Sequence, residues 1–155
     1  MIEVLVQAKG WRAAEPKAAS LVRKTATATL THEGRRDAHL TVLLADDAEL
    51  QALNLRFRGK DAPTNVLSFP ASGGEADALG DIALALGVCV SEAAEQGKPL
   101  AHHLQHLTAH GVLHLLGYDH ESETEAEAME AKEREVLAGL GIPDPYAETA
   151  QGDHG

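Results

Sequence analysis

Six of the nine histidines in this chain lie between positions 102 and 120: His102, His103, His106, His110, His114 and His120. Imidazole is the side chain most used to bind transition metals and to move protons near neutral pH, so this density points first to those two chemistries. On a helix, residues four apart share a face, and His110 and His114 would offer two nitrogens to one ion. The full string is HGVLHLLGYDH, in which Gly117 ends the helical pattern and the turn Gly117-Tyr118-Asp119 can fold His120 back as a third ligand. Three neutral imidazoles leave Zn²⁺ with its charge and one open position, the arrangement of a catalytic site and not of a closed structural one. The plainer alternative is a row of hydrated or hydrogen-bonded helix-surface histidines. His103 and His106 extend the band upstream and are expected to line a cleft or support the ligands, while His32, His39, His102 and His154 are expected to be ordinary surface residues.

The expected cofactor is therefore one Zn²⁺ per chain. Metallopeptidases with the string His-Glu-x-x-His carry a carboxylate base directly after the first ligand, but Gly111 stands there in this chain. A mid-helix glycine costs about 1 kcal/mol relative to alanine, so a closely packed neighbour or a close metal approach is expected at Gly111. Three-His zinc can lower the pKa of a bound water to about 7, which suits phosphodiester hydrolysis without a dedicated carboxylate. Asp119 is expected to orient a ligand imidazole or cap the turn, and not to act as the base.

A second constellation is NLRFRGKDAPTNVLSFP, which holds Arg56, Arg58 and Lys60 with Thr64, Asn65 and Ser68. Arg56 and Lys60 suit the C-terminal end of a helix, where cations complement the dipole. Arg58, set opposite a three-His metal, would bind two phosphate oxygens and counter the charge that grows in a pentavalent transition state. Arg58 and His114 are thus the catalytic candidates, with His110, His114 and His120 as metal ligands.

These side chains need a scaffold. A chain of 155 residues, 44% of them apolar, supports one core. The domain is expected to span residues 1–140, with 141–155 as a flexible tail. Ile2, Val4 and Val6 alternate as in a strand, Ala13 to Leu30 suits a helix, and Leu40, Val42 and Leu44 alternate again. Asp46 with Glu49 makes a helix start, followed by Leu50, Leu53 and Phe57 before Gly59. Thr64 to Pro70 suits a short strand, Pro70 to Gly80 a loop, and Ile82 to Val90 a strand with one bulky and one small face, with a short helix possible over Ser91 to Gln96. Pro99 to Leu116 is helical, and Ser122 with Glu125 opens a last helix to about Leu140. The order predicts an α+β domain with about four strands in a mixed sheet, several helices packed on it, and the metal site at the end of the histidine-bearing helix.

Charge is split along the chain. Residues 1–60 hold 10 Lys and Arg against 7 Asp and Glu, whereas 61–155 hold 3 against 17. A polyanion would have to bind the N-terminal half or a bound cation. Glu121 to Glu135, with seven glutamates against two basic residues, reads as a solvated helix face. A single cysteine, Cys89, excludes an internal disulfide and multi-cysteine zinc, and no secretory pattern or long apolar run is visible, so a cytoplasmic location without membrane association is expected.

The strings LNLRFRGKDAPTNVLSFP (53–70), LGDIAL (79–84) and HGVLHLLGYDH (110–120), in this order and separation, closely resemble the bacterial YbeY family of metal-dependent rRNA maturation factors and endoribonucleases. The resemblance implies that His110, His114 and His120 bind zinc and that Arg58 matches a functionally required arginine. It further implies cleavage of single-stranded RNA, 16S rRNA 3′-end maturation and late-stage 70S ribosome quality control in the cytoplasm, with the ribosome or its proteins as partners and no DNA. Two other readings are a non-catalytic zinc-containing ribosome-assembly factor that binds RNA, and a peptide or ester metallohydrolase.

Overall fold

The computed structural model describes residues 1–71, 77–119 and 121–146. Its elements run β1 (Ile2–Val6), α1 (Gly10–Ala14), α2 (Ala18–His32), β2 (His39–Ala45), α3 (Asp47–Arg58), β3 (Val66–Pro70), β4 (Ala78–Ala85), α4 (Leu86–Glu95), α5 (Leu100–Leu115) and α6 (Glu123–Gly139). The four strands form one sheet in the order β1-β2-β4-β3. β1, β2 and β4 are parallel and β3 joins β4 antiparallel, so the sheet is mixed, as the element order predicts.

Side-chain alternation divides this sheet into two unequal faces. Leu40, Val42, Leu44, Ile82 and Leu84 form one core with Val22, Ala26 and Leu30 of α2 and with Leu104, Leu107, Val112 and Leu115 of α5. The second face is smaller: Ala45, Leu67, Ala83 and Ala85 are covered by Leu50 of α3, with Leu43, Leu53 and Phe69 partly buried beside them. α3 reaches over only part of this face, and Leu5 of β1 is left 47% exposed. Both caps expected from sequence form: the Asp46 carboxylate accepts from the Glu49 N–H, and the Ser122 hydroxyl accepts from the Glu125 N–H. Asp46→Ala should cost about 1 kcal/mol of stability, read as a shift in the urea midpoint at constant slope.

Four local expectations are corrected. The alternation from Ile82 to Val90 is not one strand; β4 ends at Ala85 and α4 begins at Leu86. The Asp47 carboxylate of α3 accepts the Val88 N–H in the first turn of α4, and a Cβ on Gly87 would lie 2.3 Å from its Oδ2. Gly87 is therefore small because a cap must approach it, and the apolar alternation there reflects a helix packed on one side only. The short helix anticipated at Ser91 to Gln96 is the second half of α4. The Ala13 to Leu30 helix divides into α1 and α2, with Pro16 between them. Of the anticipated 70–80 loop, Ala78 to Gly80 belong to β4, and 72–76 lie outside the described residues.

Candidate active site

α5 carries the histidine band, and its path is fixed by close contact with the sheet. Gly111 faces Ile82, which is fully buried, and a Cβ there would sit 3.0 to 3.3 Å from three Ile82 side-chain atoms. The close neighbour expected at Gly111 is thus an isoleucine of β4. Gly111→Ala should gain helix propensity yet lose stability overall, because a fully packed Ile82 cannot give way cheaply. Ile82→Val in the same chain should recover part of the loss, so the two changes combine non-additively in a denaturation cycle.

With α5 held there, His110 and His114 stand on one face, their ring centroids 4.7 Å apart and edge to face. Both are partly buried. His110 Nδ1 lies 2.8 Å from Oε2 of Glu133 in α6, and His106 Nε2 lies 2.6 Å from Oε1 of the same carboxylate. The Tyr146 hydroxyl donates to that Oε1 at 2.5 Å. Glu133 is 0% exposed, which corrects the picture of α6 as wholly solvated: Met129, Glu133, Val136 and Leu137 form its buried stripe. Burial alone would raise the Glu133 pKa, but the hydrogen bonds from His106 and His110 outweigh it and hold the carboxyl at about 2. Past α6, Ile142 is buried and Tyr146 is tied to Glu133, while residues 147–155 lie outside the described part of the chain. His120, the third expected ligand, also lies outside the described residues. Among the described residues no three His, Cys, Asp or Glu side chains group as a metal site.

His103 is buried and hydrogen-bonded through Nε2 to Glu92 of α4 at 2.8 Å, and Glu92 also accepts from Asn65 Nδ2 at 3.0 Å. The Asn65 carbonyl in turn accepts from the Ala85 N–H. Asn65, from the Thr-Asn-Val-Leu-Ser-Phe-Pro string, thereby joins the start of β3 to β4 and α4, and His103 ties α5 into the same network. Burial is the main influence on His103 and pushes its pKa below the ordinary value despite Glu92. Its Nδ1 is buried with no partner among the described residues, so a proton added there has nowhere to donate. The unfolded chain binds that proton more readily, so stability should fall as pH drops below about 6.5. Urea unfolding across that window should show the slope for the native chain and a weaker one for His103→Gln.

Arg58 occupies different surroundings. It closes α3 just before Gly59, whose φ of 70° turns the chain, and the Asn54 side chain holds the following loop by donating to the Ala62 carbonyl at 2.9 Å. Arg56, Phe57 and Arg58 border a groove of about 1080 Å³ on the thinly covered face of the sheet, with Leu5, Leu43 and Phe69 in its floor and walls. Phe57 is 57% exposed, tilts against Phe69 at 5.1 Å between centroids, and has the Arg56 guanidinium 5.2 Å from its ring centre. His110 and His114 are not part of the groove lining. Ser68 connects the two regions: it lines the groove, and its hydroxyl makes a long hydrogen bond of 3.4 Å to the Gly111 carbonyl, one residue from His110.

Sequence reasoning passed over Glu133 and Tyr146. A signal for Glu133 was present, since Met129, Val136 and Leu137 recur at helical spacing and place position 133 inside their stripe.

A small α+β domain that carries an imidazole pair backed by a buried carboxylate and, linked to that helix through Ser68, a sheet groove edged by arginine has parts that a hydrolase acting on an anionic substrate would use. A family model described as Endoribonuclease YbeY matches residues 5–141. A protein of Rhodopseudomonas palustris strain BisB18 named Endoribonuclease YbeY is 54% identical, over 94% of this chain and 92% of its own length. One from strain BisA53 with the same name is 51% identical, over 97% and 92%. A solution structure from Thermotoga maritima superposes with a TM-score of 0.59 at 32% identity, covering 90% of this chain and 91% of its own. The chain belongs to the YbeY family.

Proposed function

We propose that the protein is an endoribonuclease that cleaves single-stranded RNA, with His110, His114 and His120 holding one zinc ion and Arg58 binding the scissile phosphate. The observation that carries the metal reading is the His110 bond to Glu133. A carboxylate on Nδ1 makes Nε2 the nitrogen with a lone pair, and an i, i+4 imidazole partner stands beside it, so the donor set fits zinc. Bound there, zinc supplies a Lewis acid and activated water for phosphodiester cleavage.

The chain's own groups do the rest. The Arg58 guanidinium, exposed at the end of α3, grips the phosphate and counters its rising charge. Phe57, open on one side and polarised by Arg56 on another, offers a face for an unstacked base, which favours single strands over duplex. Phe57→Ala should raise KM for a single-stranded oligonucleotide roughly tenfold, in line with the loss of one stacked base, and leave zinc binding unchanged.

The 16S rRNA 3′ end in assembled or assembling ribosomes of the cytoplasm is the proposed substrate, which makes ribosomal proteins the neighbours of the acidic surface of α6. Among the described residues, no helix is long and apolar enough to cross a membrane. Cleavage of a 16S 3′-end fragment by wild type, beside duplex RNA and single-stranded DNA of the same sequence, tests this reading. Cleavage confined to the single-stranded RNA supports it. Tight binding without cleavage would favour the non-catalytic assembly factor.

A further inference from the structure

Glu133 is an expensive residue to bury. Apolar side chains at Met129, Val136 and Leu137 already pin α6 in place, and one more at position 133 would serve packing better than a charge does. Instead the carboxylate collects three donors, His106 Nε2, His110 Nδ1 and the Tyr146 hydroxyl, at 2.6, 2.8 and 2.5 Å. Only an acceptor-only group satisfies three donors at once; a glutamine would turn an amide N–H against at least one of them. Two of the donors are imidazoles four residues apart on α5, and each takes its own carboxylate oxygen. His106 and Tyr146 pack edge to face at 5.4 Å, and both bond the same carboxylate oxygen, Oε1. The other oxygen, Oε2, meets His110.

We propose that Glu133 is the positioning residue of the metal centre: it holds His110 in the Nδ1–H tautomer and sets the ring angle at which Nε2 binds the ion. This rests on the metal reading given above. It assigns a role in the site to a residue that lies far along the chain from the histidine string and inside a helix that otherwise looks like an acidic surface. His106 belongs to the same device as a second clamp on the carboxylate, and not as a ligand.

Two readouts test it, neither of which is turnover. The first is the ring-nitrogen NMR spectrum of His110 in metal-free protein, which distinguishes the two tautomers. The second is the zinc dissociation constant from competition with a chromophoric chelator. Wild type should show Nδ1–H at His110 and bind zinc tightly. Glu133→Gln and Glu133→Ala should bind zinc about 10- to 100-fold more weakly and lose the fixed tautomer. Tyr146→Phe, which removes a donor but leaves the His110 bond, should match wild type in both. Variants at Glu133 that fold and bind zinc as wild type does would overturn the proposal alone. A wild type that binds no zinc would overturn the metal reading and the proposal with it. Should the Glu133 variants fail to fold, the wild-type spectrum still decides, because a proton found on Nε2 of His110 contradicts the assignment.

Discussion

Arg58→Ala is expected to lower the rate of RNA cleavage by about 10²- to 10³-fold while zinc affinity and the urea midpoint stay at the native level. The residue is exposed at the end of α3, so its removal opens no cavity, and surface changes of this kind move stability by no more than about 0.5 kcal/mol. What disappears is a planar, permanently charged fork that can take two phosphate oxygens. Arg58→Lys should recover only part of the rate, because an ammonium supplies the charge without the paired geometry. Single-turnover rates at saturating RNA separate this from weaker binding. A loss confined to KM would make Arg58 a docking residue, and an unchanged rate would remove it from the site.

His114→Ala carries the other large effect, a fall of at least about 10³-fold in cleavage together with loss of bound zinc. Alanine is a good helix former and α5 is anchored by Leu104, Leu107, Val112 and Leu113, all buried, so the helix should persist in circular dichroism. Arg58→Ala and His114→Ala thus part company on metal content: the first keeps its zinc and loses rate, the second loses both. If His114→Ala retained cleavage, the chemistry would have to be sought elsewhere, for instance in the groove alone.

The sequence made the histidine pair visible because helical periodicity is local. His110 and His114 must share a face wherever α5 forms, and Leu104, Leu107 and Leu115 show which face is the core. The helix starts at Asp46 and Ser122 were readable for the same reason, each resting on a side chain and a backbone group three residues apart. The boundary at Ala85 was not, because the helical cap on α4 comes from Asp47, more than forty residues upstream, and nothing within Leu86 to Val90 announces it. Glu133 was hidden by its company. Six other glutamates in its stretch make a charged surface the natural reading, and only the Met129, Val136 and Leu137 stripe argues for burial. Arg58 was singled out through an anticipated position opposite the metal. Its place in the fold is at the edge of a groove whose lining includes Ser68, the residue bonded to the Gly111 carbonyl of α5, and that relation depends on sheet topology, in which antiparallel β3 forms the edge beside β4.

The most direct test of the account is cleavage of a single-stranded 16S 3′-end RNA by protein stripped of metal with a chelator and then resupplied with zinc, beside His114→Ala prepared identically. The account predicts activity that vanishes on stripping, returns with zinc in wild type, and is absent from His114→Ala in either state. Cleavage that survives stripping, or appears equally in His114→Ala, would contradict it.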